Sequence, residues 1–171
     1  MSKMKKTDLR SLNTEPFNFF DREWPLLTVA DGEGCNPMTV SWGQVGTLWN
    51  RSVCTLFVRP QRYTYGLLER EECFTVSFLD SGYKKELTLC GTKSGRDIDK
   101  LAACGFTAAH ADCGAPYIAQ AKRVLVCRKL YEQDLEKNCF LDPAIAEQCY
   151  AKGGFSRVFI AEVLEVLEAE E

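Results

Sequence analysis

The residues best equipped for chemistry stand in one short run, Arg59-Pro60-Gln61-Arg62-Tyr63-Thr64. It follows an apolar, β-rich stretch, Val53-Cys54-Thr55-Leu56-Phe57-Val58, and precedes a helix-compatible one, Tyr65-Gly66-Leu67-Leu68-Glu69-Arg70. Pro60 stops the strand, because proline removes a backbone donor and fixes its own φ. Two guanidinium groups and a Thr hydroxyl are thereby set on a tight connection at the mouth of a helix. Planar donor forks, a hydroxyl and the unpaired N–H groups of a helix start together grip a phosphate. A lone Arg-Pro-x-Arg also describes a solvated basic turn, so this segment alone does not decide.

Two further segments carry groups of the same kind. In Asn36-Pro37-Met38-Thr39-Val40-Ser41-Trp42-Gly43, a strand would turn Met38, Val40 and Trp42 one way and Thr39 and Ser41 the other. A row of hydroxyls can bond the polar edge of a flat heterocycle while Trp42 or Met38 walls it. By itself the segment reads more simply as a strand with polar residues facing water. The third is Cys90-Gly91-Thr92-Lys93-Ser94-Gly95-Arg96-Asp97, followed by Lys100. It is either a helix-to-helix connection with surface charges or a supplier of N–H groups and cations to a phosphate or ribityl chain. It lacks the Gly-x-x-x-x-Gly-Lys-Ser/Thr order of a Walker loop.

What the chain lacks narrows the chemistry further. Its single histidine, His110, lies in a small-residue loop, so Ser–His–Asp or Cys–His catalysis would have to pass through it. Nine cysteines are many for 171 residues, yet none forms a Cys-x-x-Cys pair. Zinc, iron–sulfur and thioredoxin-like sites need clustered thiols. An odd count without a secretion signal argues against a disulfide framework, and Cys54, Cys73 and Cys127 sit in apolar runs as small hydrophobes. Buried free thiols in a reducing cytosol are the expected state. A phosphate clamp with almost no acid–base machinery implies chemistry borrowed from a phosphorylated cofactor.

Composition sets the frame for these segments. Hydrophobic residues make up 46% and charged ones 26%, ordinary values for a folded domain of this length. A net charge of −3 gives no general attraction to nucleic acid. The basic start, Met1-Ser2-Lys3-Met4-Lys5-Lys6, leads into no apolar core of a signal peptide, and no segment reaches the apolar length of a membrane span. A cytoplasmic protein that meets neither membrane nor nucleic acid is expected.

The elements that must position the three segments can be read from periodicity. Strands are expected over residues 26–30, 38–42, 53–58, 73–79 and 123–131, with a turn over 31–34. Helices are expected over 63–72, over 83–90 ending at Gly91, and over 94–104 with Ser94 as cap and Gly105 as terminator. Asp142-Pro143 opens a short helix. The last segment, 157–168, is assigned to a strand because Val158-Phe159-Ile160 is β-branched and aromatic. Residues 1–14 read as a loose arm or short edge element, and Pro16-Phe17-Asn18-Phe19-Phe20 as an aromatic patch for a neighbour or subunit contact. Without regular β-α-β alternation or a Gly-x-Gly-x-x-Gly, a mainly antiparallel barrel with inserted helices fits better than a Rossmann sheet.

In this order, with Phe74-Thr75-Val76-Ser77-Phe78 and Val124-Leu125-Val126-Cys127-Arg128-Lys129-Leu130-Tyr131, the segments resemble the flavin reductase-like, FMN-binding split-barrel family, in its flavoredoxin-like branch. The resemblance runs from about Leu26 to about Val163. It implies one domain over 1–171 with a six-stranded Greek-key split barrel, a homodimer, and non-covalent FMN near the subunit interface. Residue by residue, it implies Asn36, Thr39, Ser41 and Trp42 along the isoalloxazine ring. Arg59, Arg62, Tyr63 and Thr64 would take the phosphate side, Ser77 and Phe78 the pocket wall. Gly91, Ser94, Arg96 and Lys100 would close the phosphate and ribityl end, and Phe155 would cover the flavin. The branch often has a His near the start of its last strand, where this chain has Ser156, which cannot titrate near neutrality.

The resemblance thus implies an FMN-dependent oxidoreductase that passes hydride or electrons from NAD(P)H or a protein carrier, with no catalytic side chain of its own and no metal. The alternative is a flavin carrier or redox sensor with little turnover.

Overall fold

The computed structural model describes residues 3–11, 15 and 17–170. Among the described residues ten strands and four α-helices follow one another as β1 (Met4–Thr7), β2 (Leu26–Asp31), β3 (Gly34–Thr39), β4 (Gly43–Leu48), β5 (Arg51–Val58), α1 (Tyr63–Arg70), β6 (Cys73–Phe78), α2 (Lys84–Thr92), α3 (Lys100–Cys104), β7 (Ala108–His110), β8 (Pro116–Ile118), β9 (Arg123–Asp134), α4 (Pro143–Tyr150) and β10 (Arg157–Ala169). All strand pairings are antiparallel, in an eight-stranded sheet of order β3-β2-β6-β9-β10-β5-β4 with β1 on β10, and a small β7-β8 ribbon.

The two ends of that order are successive parts of one bent strand. The Val40 N–H bonds the Pro25 carbonyl beside β2, and the Phe57 N–H in β5 bonds the Trp42 carbonyl. Residues 34–48 thus leave one edge of the sheet and join the other, which closes a barrel. With β3 and β4 counted as this one strand and β1 set aside, the closed path has the six strands expected. The split shows on β10: its first half pairs with β5 and its last residues pair with β1, while its pairing with β9 shifts register at Ile160/Ala161 and at Val163/Glu165. Long strands that change partner this way need bulges to bend. No helix among the described residues is long and apolar enough to cross a membrane.

Leu27, Leu56, Leu68, Phe74, Phe78 and Phe159 fill the barrel with Phe19 and Phe20. The last two correct the expectation of an aromatic patch for a neighbour. Phe19 stacks on Phe78 at 4.2 Å inside the core, and only Phe17 is left fully outside; Pro16 lies outside the described residues. The strand expected over 38–42 runs instead over Gly34–Thr39 and stops before the bend; Pro37 is tolerated in it because an edge strand loses no ladder bond there. The strand Gly43–Leu48 and its tight hairpin to β5, with Trp49 and Asn50 at φ 51° and 58°, have no turn glycine to announce them.

Two helix ends also differ from expectation. α2 runs through Gly91 to Thr92, since a bare α-carbon there lets the helix lie against β3. A Cβ at Gly91 would come 3.3 Å from the Thr39 side chain. The helix expected from Ser94 starts only at Lys100, where Asp99 accepts the Ala102 N–H at 3.1 Å. Residues 94–98 instead form a turn, closed by the Asp97 N–H on the Ser94 carbonyl. Gly105 ends α3 at φ 65°. The arm is an edge strand over Met4–Thr7.

Candidate functional site

Where the bent strand crosses between sheet edges, it opens a cleft of about 430 Å³ lined by residues 38–42, by residues 57–59 and Arg62, and by Gln148 and Cys149 of α4. A recess of about 60 Å³ adjoins it, sharing Met38 and Arg62 and adding Gln61, Tyr63, Thr64, Thr92, Lys93, Ser94 and Lys100. One large open wall and one small polar end suit a flat ring with a charged tail.

The Arg59–Thr64 connection lies between the two. Arg62 caps α1 with extended backbone and without a side-chain capping bond, so the first N–H groups of that helix have no side-chain acceptor. Its side chain donates from Nη2 to the Gly91 carbonyl at 2.6 Å and points Nε at the Met38 sulfur at 3.2 Å. Burial, and then the charge of Arg59, pull the Arg62 pKa down. Lys100 is almost fully buried and gives hydrogen bonds to the carbonyls of Pro37 (2.9 Å) and Cys90 (3.0 Å). Burial lowers its pKa. Arg59 donates to the Cys149 carbonyl and lies over the Tyr150 ring at 4.9 Å, yet its buried Nε has no acceptor.

Cations therefore crowd these cavities with no carboxylate in their lining. Like charges this close, partly removed from water, are stabilised by an anion that accepts their hydrogen bonds. The orphaned Arg59 Nε is a donor waiting for such an acceptor.

Of the residues expected from sequence, Thr39, Ser41, Trp42, Arg59 and Arg62 line the cleft, and Tyr63, Thr64, Ser94 and Lys100 line the recess with Arg62. Thr39 donates to the Leu87 carbonyl at 2.5 Å. Asn36 stands just behind the recess, its Nδ2 on the Thr64 hydroxyl at 2.8 Å. Gly91 contributes its carbonyl to Arg62. Arg96 lies over the Tyr63 ring at 5.0 Å, while the Tyr63 hydroxyl donates to Asp31 at 2.7 Å. Phe155 stacks on Tyr150 at 4.8 Å, and Tyr150 meets Trp42 edge-on at 6.0 Å, so the three rings form one wall beside Arg59.

Ser77 and Phe78 are not brought to the cleft. Both are fully buried: the Ser77 hydroxyl accepts the Ile118 N–H, and Phe78 stacks on Phe19 in the barrel. Strand alternation turns Phe78 into the barrel and Ser77 out against β8. Gln148, Cys149 and Tyr150 were missed, because α4 announces only its start, Asp142-Pro143, and nothing local says what its last turn will face. Lys93 was visible in the third segment among several surface charges.

The sequence profile of the flavin reductase like domain matches residues 19–171. Solved structures similar to this chain include flavoredoxin from Methanosarcina acetivorans, at 20% identity over 96% of this chain and 77% of that one, TM-score 0.71. An FMN-binding protein from Thermus thermophilus with bound p-hydroxybenzaldehyde is 23% identical over 95% of this chain and 83% of that one, TM-score 0.68. The NADH:FAD oxidoreductase SgcE6 of Streptomyces globisporus C-1027, in complex with NAD and FAD fragments, is 20% identical over 84% and 73%, TM-score 0.61. At such identities the likeness is one of fold. No curated protein matches by sequence.

Proposed function

Because the chain belongs to the flavin reductase like domain family, we propose that it holds FMN non-covalently in the joined cleft and recess and works as an oxidoreductase. The observation that carries this reading is the group of cations, Arg59, Arg62, Lys93 and Lys100, around cavities whose lining has no carboxylate, with one guanidinium nitrogen left unpaired. These residues fit a phosphate monoester on a flat ring system.

In this reading Arg62, Thr64, Lys93 and Ser94, with the uncapped start of α1, bind the phosphate. Lys100 holds the α2–α3 connection in place through its two carbonyl bonds and adds charge from behind. Ser41 offers its hydroxyl to the ring edge, Thr39, whose proton goes to the Leu87 carbonyl, can only accept there, and Met38 supplies an apolar wall. Trp42, Tyr150 and Phe155 screen the open side from water. FMN supplies hydride or electron transfer when bound, so the protein needs no nucleophile, and none of the cleft residues is a histidine or carboxylate. NAD(P)H or a protein carrier is the proposed electron donor; the NADH:FAD oxidoreductase among the similar structures supports the nicotinamide. A homodimer with the cofactor near its interface and a cytoplasmic location are part of the same proposal.

The test is to purify the protein anaerobically, record its visible spectrum and titrate it with FMN. A yellow protein, or stoichiometric uptake, is expected; a colourless protein that takes up no FMN overturns the reading. Steady-state NAD(P)H oxidation with free FMN then separates a reductase from a flavin carrier, which would turn over slowly.

A further inference from the structure

The nine cysteines form no close pair along the sequence, but the fold brings several together, and one of these pairs stands beside the recess. Cys90 near the end of α2 and Cys104 at the end of α3 are 14 positions apart, and their sulfurs are 3.8 Å from one another. Cys90 is fully buried, whereas Cys104 is only half-buried and is the one that solvent reaches. The segment between them carries the recess: Gly91 takes the Arg62 bond, Lys93 and Ser94 line the wall, and Lys100 is tied to the Cys90 carbonyl. The two thiols close the base of the loop that shapes the anion end of the site.

We propose that Cys90 and Cys104 are a dithiol modification site that small disulfides of the glutathione type oxidise to an intramolecular disulfide. The Cys104 thiolate attacks one sulfur of the small disulfide, forming a mixed disulfide and releasing one small thiol. The Cys90 thiolate then attacks the Cys104 sulfur and displaces the second. Two electrons and two protons pass from the protein to the oxidant, which leaves as two thiols, and one protein S–S bond is formed. The sulfurs stand 3.8 Å apart and must close to the ~2 Å of a disulfide bond. Burial raises the pKa of both thiols, Cys90 to about 12, so the exchange is slow and the pair stays reduced until a disulfide oxidant accumulates.

The experiment incubates the folded protein with glutathione disulfide, alkylates the remaining thiols in denaturant and maps the peptides by mass spectrometry. The expected product is a peptide pair joined through Cys90 and Cys104, cleaved by dithiothreitol, with the thermal midpoint raised by about 5 °C from loop closure. Mapping separates it from a link between Cys73 and Cys113, thiols the fold also sets side by side. C104S should lose the joined peptide and the thermal shift while keeping the wild-type circular dichroism. Phenylarsine oxide, which bridges two neighbouring thiols with loss of water and no redox change, should protect both from alkylation. Recovery of Cys90 and Cys104 separately alkylated, or separately glutathionylated, after both treatments overturns the proposal. The link is read without flavin and so fails independently of the cofactor assignment. On that assignment, oxidised and reduced protein should differ at least about threefold in FMN dissociation constant, and equal constants would remove the coupling to the recess.

Discussion

The Tyr150 hydroxyl donates to the Ser156 hydroxyl at 3.0 Å, and both residues are buried. Ser156 is thus a positioning residue. It fixes the ring that Arg59 covers, that Phe155 stacks on and that Trp42 meets edge-on. In this chain Ser156 therefore holds the cleft wall in place. Ser156→Ala leaves the Tyr150 hydroxyl without its partner and should cost about 1–3 kcal/mol of stability, measured by urea unfolding. Tyr150→Phe removes the other partner and should cost less, because serine is the smaller group to leave dry. Equal stability of Ser156→Ala and wild type would mean that the bond does not hold the ring.

Arg62 is the donor that joins cleft to recess, so its removal should be felt in binding. Arg62→Ala should weaken FMN by about 1.5–3 kcal/mol, the range of a charge-assisted hydrogen bond, read from quenching of flavin fluorescence. Arg62→Lys should not restore affinity. A single ammonium cannot reach the Gly91 carbonyl and the Met38 sulfur while also facing an anion. Wild-type affinity in Arg62→Ala would show that the phosphate binds elsewhere.

Gly95 tests how tightly the third segment is built. A Cβ there would fall 2.1 Å from the Asn36 Oδ1 and 2.8 Å from the Tyr63 ring. Gly95→Ala must therefore push Asn36 away and break its bond to Thr64. A loss of about 1–3 kcal/mol in stability is expected from such overpacking, together with weaker FMN binding, since Thr64 lines the recess. Gly46→Ala, where the added carbon meets nothing within 4 Å, is the control and should change both far less.

How much of this was legible in the sequence follows the range of the forces involved. The strands around Leu27, Leu56, Val76 and Val126 announced themselves, because a barrel core needs apolar β-formers at short range. Arg62, Thr64 and Thr39 could be placed at the cavities through the family resemblance, since the local pattern of neither segment decides alone. Tyr150 could not, because its role depends on rings from the β3–β4 crossing, from α4 and from the loop before β10 meeting in space. Gly91 inside α2 and the late start of α3 were hidden for the same reason: packing against Thr39 and the Asp99 cap override the local glycine and serine signals. Cys90 and Cys104 look unrelated until two short helices lie side by side.

The last prediction follows from the Cys90 thiol. Burial, with Cys104 and Glu86 nearby and only Lys100 opposing, raises its pKa from an ordinary 9.0 to about 12. In the unfolded chain this thiol loses its proton near pH 9, whereas in the folded chain it keeps it to about pH 12. Between those values the folded state binds more protons than the unfolded one, so stability must fall as pH rises. Below pH 9 the contribution is fully present and flat. Cys104 shifts in the same direction, its largest cause also burial. Chemical denaturation of the reduced protein at pH 8, 9, 10 and 11 should give a declining free energy of unfolding, and Cys90→Ala should flatten that decline relative to wild type while costing stability at pH 8. Parallel curves for the two proteins would show that the thiol titrates equally in both states, and therefore that water reaches the interface of α2 and α3.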